Sequence, residues 1–385
     1  MKIYYWSPHI SHVATVSAVI NSIKSVQKYS SGKIKCLLLD AVGEWQDYSE
    51  ELSKNKIETH KLYLKEKYSK LPRYGFLRSR TAYWIIFLSS IFSLRKLINN
   101  HRPNFLIIHL ITSLPILLNY FFKLNTKLIL RVSGFPKLNL FRFFLWKFLG
   151  KKIHKVFCPT VATKNYLIKK NIFNKDKIFV LKDPIISISD INKKKNQSID
   201  PNFKLKEKKY LLSVGRITKQ KNYFFLIDFF FDLLKIYPDY NLIIIGNGED
   251  KQKLQEYINM KNLNEKIHLL DFKKNIFNYM KNAECFILSS LWEDPGWVLI
   301  EAASVNRIII SSNCPNGPVE FLSNGDGGYL YDSNNKDSFL KVFREYKNDS
   351  LQIKIKKTKI TKKKVNGYTL FRHYCDLINN LKNEK

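Results

Sequence analysis

The chain has 385 residues, 45% of them hydrophobic, enough to bury the cores of two ordinary domains and too apolar for a disordered polymer. Lys and Arg number 65 against 32 Asp and Glu, a formal charge of +33 that favours anionic partners: nucleic acid, acidic lipid or phosphate-bearing substrates. Five dispersed cysteines with no Cys-x-x-Cys pair exclude a disulfide framework and a zinc site.

The basic excess has two readings. Lys far outnumbers Arg, and Asn, Ile, Phe and Tyr abound, as an AT-rich genome would produce. Yet the charge is also uneven: from Lys67 to Lys175 there is no Asp or Glu. That asymmetry points to one basic face in the first half of the chain.

Met1 to Pro8 lacks the pattern of a signal peptide and reads directly as a strand over Lys2–Trp6. A helix is predicted over Val13–Tyr29, then a strand over Lys33–Leu39 and a short strand over Thr59–Leu64. A helix over Arg80–Asn100 follows. Its apolar run, Tyr83–Leu94, is read as too short to span a bilayer. Phe105–His109, Lys127–Val132 and Lys155–Cys158 are read as buried strands. Lys182-Asp-Pro184 and the polar stretch Ser187–Lys208 read as a boundary. The alternation then resumes: strand from Lys209, helix Tyr223–Ile236, strand Asn241–Ile245, helix Asp250–Lys261, strand Lys266–Leu270, helix Ile276–Asn282. Arg307–Ser311 is another strand, Leu351–Lys364 a Lys-rich connection, and Tyr368–Leu381 a last helix. Strands alternating with helices predict doubly wound parallel sheets.

The chemistry concentrates in four segments. Cys285-Phe-Ile-Leu-Ser-Ser-Leu-Trp-Glu293-Asp-Pro-Gly296-Trp-Val-Leu-Ile-Glu301 reads as strand, loop and helix, with carboxylates spaced Glu-x7-Glu. Pro295 is placed in the first turn of the helix, with the amides of Gly296, Trp297 and Val298 open to a diphosphate. Tyr210-Leu-Leu-Ser-Val-Gly215-Arg216 leads through a polar loop to Lys221. Asn241-Leu-Ile-Ile-Ile-Gly246-Asn-Gly248 offers a tight strand-to-helix turn. Ser311 to Glu320 carries the run Cys314-Pro-Asn-Gly317-Pro.

These segments, in this order, resemble the retaining family-4 glycosyltransferases, group 1, strongly over residues 209–332. The resemblance implies the GT-B fold, two facing Rossmann-like domains. The expected division is 1–185 for the acceptor-side domain, 186–208 for a linker, 209–364 for the nucleotide-sugar domain, and 365–385 for a helix crossing back onto the first. It further implies that Arg216 and Lys221 contact the donor diphosphate, that Glu301 accepts the ribose hydroxyls, and that Glu293 and His109 lie near the donor sugar. Gly215, Gly246, Gly248, Gly296, Trp297 and Val298 complete the donor-binding set. His9, His12 and Arg131 are candidates on the acceptor side. His9 and His12 sit where the family often has a Gly pair, and serve either as polar contacts or as plain loop residues. Asp294, Asn306 and Ile308 also depart from the family pattern.

No Asp-x-Asp occurs in the chain, so no metal is expected, and no cofactor is expected because the nucleotide-sugar is a substrate. The implied activity is retaining transfer from a nucleotide-diphosphate sugar to a glycan or polyprenyl-diphosphate-linked acceptor. UDP-sugar is favoured over GDP-sugar, and UDP-N-acetylhexosamine is considered. The setting would be surface polysaccharide synthesis: O-antigen, capsule or lipopolysaccharide. A nucleotide-sugar epimerase of the same fold and a non-catalytic basic protein binding membrane or nucleic acid are the alternatives. Arg73–Lys96 and Lys137–Lys152 mix bulky aromatics with bases, which suits an anionic membrane surface. Nucleic acid is disfavoured, since no motif for it accompanies them. A cytoplasmic protein, peripheral on the inner face of the membrane, is expected.

Overall fold

In a computed structural model, which describes residues 1–10, 14–72, 76–136, 138–199 and 209–383, the chain forms two compact units. The first comprises residues 1–184 and the C-terminal helix; the second comprises Ile185–Thr369.

Among the described residues the first unit holds seven parallel strands: β1 (Lys2–Trp6), β2 (Lys35–Asp40), β3 (Thr59–Lys61), β4 (Phe105–Ile108), β5 (Lys127–Arg131), β6 (Lys155–Cys158) and β7 (Ile178–Val180). Their order in the sheet is β3-β2-β1-β4-β5-β6-β7. The helices are α1 (Ala14–Tyr29), α2 (Ser49–Lys54), α3 (Phe76–His101), α4 (Ser113–Phe122), α5 (Leu140–Phe148) and α6 (Val161–Lys169). Central strands read as unbroken apolar runs because both faces are covered. Tyr4, Trp6, Leu106 and Ile108 face one core, while Ile3, Tyr5, Phe105 and Ile107 face the other.

Among the described residues the second unit has six parallel strands: β8 (Tyr210–Val214), β9 (Asn241–Ile245), β10 (Ile267–Leu270), β11 (Cys285–Leu288), β12 (Ile309–Ser312) and β13 (Tyr329–Tyr331), ordered β10-β9-β8-β11-β12-β13. Its helices are α7 (Ile188–Lys194), α8 (Tyr223–Leu234), α9 (Lys251–Met260), α10 (Phe277–Asn282), α11 (Trp297–Ser304), α12 (Pro318–Phe321), α13 (Lys336–Asn348) and α14 (Leu351–Val365). Alternate residues again divide between two cores: Leu212, Ile243 and Ile245 on one side, Leu211, Leu242 and Ile244 on the other.

The last helix, α15 (Leu370–Lys382), packs on α1 in the first unit. Leu377, Ile378 and Leu381 join Val16, Val19 and Ile23 in one core cluster. The His373 ring lies 2.9 Å from the Ser22 hydroxyl and 2.8 Å from the carbonyl of Lys182.

Three stretches differ from the sequence expectation. The segment 186–208 carries helix α7, whose Ile191 is buried with Ile186 in the second unit's core. The Lys-rich stretch Leu351–Lys364 is helix rather than connection. Ser350 caps it by accepting from the amide of Ile353 at 3.3 Å, and Thr361 and Val365 bury a narrow stripe. Its lysines lie along the surface and donate to backbone carbonyls: Lys357 to Gly325 at 2.9 Å and Lys364 to Glu320 at 2.5 Å. Helix α3 extends well beyond the apolar run Tyr83–Leu94. Over Arg78–His101 it is long and apolar enough to cross a membrane by length and composition alone. Ala82, Ile86, Leu94, Leu97 and Ile98 nevertheless pack one face of it into the first unit's core.

Candidate functional site

In a parallel sheet, ligands collect beyond the C-terminal ends of the strands. In the second unit the adjacent strands β9, β8 and β11 deliver there the loops that begin at Gly246, Gly215 and Ser289. The β8 and β11 loops are tied together. The Ser289 hydroxyl donates to the Lys221 carbonyl at 2.7 Å, the Leu291 amide to the Gln220 carbonyl at 2.8 Å, and the Gln220 side chain to the Trp292 carbonyl at 2.8 Å.

This stitching brings Lys221 Nζ to 2.5 Å from Glu293 Oε1, with both side chains largely buried. The same oxygen accepts from the Ser290 hydroxyl at 2.6 Å, and the Ser290 carbonyl accepts from Ser312 at 2.6 Å. Sequence reasoning missed Ser290 and Ser312. The doublet Ser289-Ser290 at the end of an apolar strand was the signal for the first of them.

Gly246 and Gly248 do more than turn the chain. A Cβ on Gly246 would lie 2.0 Å from the Gly215 carbonyl oxygen, and one on Gly248 2.1 Å from that of Ile217. The glycines thus let two loop backbones press together, held by the Ile217 amide on the Asn247 carbonyl at 2.9 Å. Arg216 projects into solvent from this junction.

Pro295 does not occupy the first turn of α11. The helix begins at Trp297, behind a Gly296 cap in the left-handed region (φ 88°), and Asp294-Pro295 is a cis peptide. Pro295 is packed instead against Gly317, where a Cβ would sit 2.1 Å from the Pro295 carbonyl oxygen. The run from Ser311 to Gly317 therefore supports the Glu293 loop from beneath; the Glu293 amide donates to the Pro315 carbonyl at 3.3 Å. The opening turn of α11, with Trp297 and Val298 partly exposed, presents the positive end of a helix dipole. Glu301 lies on the second turn. Burial pushes its carboxyl up to about 7, against the pull of Lys194 and Lys221.

The first unit carries its own cluster. His109, just past β4, is buried; its Nδ1 is 3.4 Å from the Ser133 hydroxyl, and its Nε2 has no partner among the described residues. Burial, then the neighbouring Arg131 and His373, hold its pKa well below the usual histidine range, so the ring is neutral at physiological pH. His109 and Arg131 both line a cavity of about 680 Å³. Arg131 is itself buried and ion-paired with Asp183. His9 lies in a box of aromatic rings, 5.0 Å from Trp45, 5.7 Å from Tyr48 and 5.8 Å from Tyr68. His12 lies outside the described residues. Among the described residues no three His, Cys, Asp or Glu side chains converge.

Two parallel-sheet units with these strand orders have the GT-B architecture. Residues 186–365, essentially the second unit, match the family of glycosyl transferases group 1. A glycosyltransferase of Methanocaldococcus jannaschii is 34% identical over 253 residues, 61% of this chain and 62% of that protein. An N-acetylgalactosamine-N,N'-diacetylbacillosaminyl-diphospho-undecaprenol 4-alpha-N-acetylgalactosaminyltransferase of Campylobacter jejuni is 31% identical over 151 residues, covering 39% of this chain and 40% of that protein. The matches thus span about half the length of these curated relatives. The crystal structure of Anabaena HepE with UDP and glucose superposes with a TM-score of 0.74 at 14% identity and full coverage of both chains, a likeness of fold.

Proposed function

We propose that the protein transfers a sugar, with retention, from a UDP-sugar to a glycan or polyprenyl-diphosphate-linked acceptor in surface polysaccharide synthesis, working on the inner face of the cytoplasmic membrane. The observation that carries the reading is the buried Lys221–Glu293 pair, held between the β8 and β11 loops ahead of a helix that bears Glu301. The fold likeness to a structure holding UDP and glucose supports the donor class, and the name of the Campylobacter relative supports a lipid-diphosphate acceptor.

As the sugar–oxygen bond breaks, the departing diphosphate gains negative charge. In this reading Arg216 supplies a forked donor, Lys221 a point charge, and the start of α11 aligned amides, which together absorb that charge without a metal. Glu301 accepts the two ribose hydroxyls. Glu293 is no nucleophile: one oxygen is already held by Lys221 and Ser290, and its part is to fix Lys221 and the sugar side of the pocket. The acceptor attacks from the face the diphosphate leaves, and the leaving phosphate takes its proton.

Calorimetry with UDP, GDP and ADP tests the donor assignment. A preference for UDP, lost in Arg216→Ala and Glu301→Ala, is expected; folded protein that binds none of the three sinks it. Product formed only when acceptor is added separates transfer from epimerisation.

A further inference from the structure

The first unit's cavity is bounded by α3 and α5, and among the described residues no carboxylate lines its walls. Arg80 from α3 and Arg142 from α5 line it, beside Arg131 and His109. A guanidinium fork matches phosphate oxygens two at a time, and two forks around one hollow suit a phosphate ester. His109 lines the cavity with a side chain more than nine-tenths buried, and its Nε2, closed off from solvent, is unpartnered among the described residues. A buried polar atom left so is costly unless a ligand completes it.

The rim has the opposite character. Trp84, Phe135 and Phe141 line the cavity and are also exposed to solvent. From Trp84 the apolar surface continues along α3 to Leu88 and to Phe92, which is 80% exposed. From Phe141 it continues along α5 through Phe144 and Phe148, with Leu140 77% exposed at its start. Bases accompany the rings: Arg95 lies 4.0 Å from the Phe122 ring centre and Lys152 4.6 Å from that of Tyr120, both rings at the end of α4. Tyr83 hydrogen-bonds Ser113, fixing α3 to α4. Aromatic rings beside cations, in a stretch with no Asp or Glu from Lys67 to Lys175, complement the headgroup layer of an anionic bilayer.

We propose that this cavity is the headgroup slot for a lipid-borne phosphate or diphosphate ester, entered sideways from an anionic bilayer on which the aromatic faces of α3 and α5 rest. Arg80 and Arg142 hold the phosphate, the aromatic rim passes the hydrocarbon chain to the bilayer, and the cavity volume falls in the range of small-molecule sites. As the role of acceptor site, this rests on the transferase reading above; as a binding site it stands on the cavity and its rim. A soluble glycan lacking the lipid phosphate would then be a poor acceptor.

The test uses the full chain with geranylgeranyl diphosphate in detergent micelles, inorganic diphosphate in the same micelles, and flotation on phosphatidylcholine vesicles with and without phosphatidylglycerol. Tryptophan fluorescence reports the cavity through Trp84 and Trp146. The isoprenoid diphosphate is expected to bind at least tenfold more tightly than inorganic diphosphate. Arg80→Ala with Arg142→Ala should weaken it more than tenfold, with partial recovery in Arg80→Lys with Arg142→Lys. Flotation is expected only with phosphatidylglycerol, and should fall in Phe92→Ser with Phe144→Ser, two exposed sites whose fold is checked by circular dichroism. Equal binding of the two diphosphates, or isoprenoid binding indifferent to the arginines, overturns the slot; flotation without phosphatidylglycerol dependence overturns the docking face. UDP titration of the same preparation separates the readings: UDP binding without lipid binding removes this inference alone, and lipid binding without UDP binding removes the donor site alone.

Discussion

Lys221 Nζ lies 2.5 Å from Glu293 Oε1 although the two residues are 72 positions apart, and neither side chain is more than 13% exposed. A pair this dry is held only because the β8 and β11 loops are stitched on either side of it. Removing one partner strands the other charge away from water, typically at a cost of about 3–5 kcal/mol, while replacing both with neutral groups of similar volume costs far less. Lys221→Met is therefore expected to lower the urea midpoint markedly, and Lys221→Met with Glu293→Gln to recover most of the loss. Turnover should not recover, falling by a hundredfold or more in both. Stability and activity returning together in the double variant would show a structural pair with no part in transfer.

On the proposed donor role, Glu301 makes UDP binding depend on pH. Its folded-state carboxyl is raised from 4.5 to about 7 by burial. Above pH 7 the group is ionised and both oxygens accept strong hydroxyl hydrogen bonds; below pH 7 it is neutral, and must lose a proton before both oxygens accept. UDP affinity is expected to fall as pH drops from 8 to 6, approaching tenfold per pH unit at the acid end. Glu301→Gln should bind more weakly at pH 8 and keep only the shallower slope that protonation of the UDP terminal phosphate gives. Calorimetry at four pH values, in two buffers of different ionisation enthalpy, counts the proton directly.

Gly246 and Gly248 carry a steric prediction. An added Cβ would meet the carbonyl oxygens of Gly215 and Ile217 at 2.0 and 2.1 Å, and both obstacles are backbone. Overpacking of this kind costs about 1–3 kcal/mol where the surroundings yield. Here the neighbour that must move carries Arg216. Gly248→Ala is expected to cut UDP affinity at least tenfold while leaving a cooperative thermal transition. Unchanged affinity would mean that the loop pairing has no bearing on the donor site.

The loops that the second unit brings together were legible because their residues run contiguously along the chain. Tyr210 to Lys221 puts a strand, a loop and its side chains within a dozen positions, and Glu293 to Glu301 does the same for a loop and the start of α11, so order and spacing survive in one dimension. The strands were legible for a related reason: with both faces buried, β4 and β9 read as Phe105-Leu-Ile-Ile and Asn241-Leu-Ile-Ile-Ile. Helix α14 was hidden because its lysines lie along the surface and bond carbonyls, leaving only a narrow apolar stripe. Pro295 misled because its packing partner, Gly317, lies 22 positions away. The arginine-lined cavity was invisible for the same reason, drawing its walls from α3, α5 and the loops after β4 and β5.

His373 makes the first unit sensitive to acid through the C-terminal helix. The ring is buried between α15 and α1, with the Ser22 hydroxyl and the Lys182 carbonyl on its nitrogens and Arg131 and Asp183 nearby. Burial holds its pKa at about 4, below the 6.5 of an exposed histidine. Between those values the unfolded chain takes up a proton that the folded chain refuses, so stability is full above pH 6.5 and drains away as pH falls toward 4. Each pH unit across that window removes about 1.4 kcal/mol, so the loss is on the order of 3 kcal/mol. Buried His109, whose pKa is also lowered, adds in the same direction. Replacing His373 with Gln keeps a hydrogen-bonding side chain and removes the titration. The variant is expected to be less stable at pH 8, with a shallower loss of stability between pH 7 and 5. Urea melts across that range read both; a slope identical to wild type would place the acid sensitivity elsewhere in the chain.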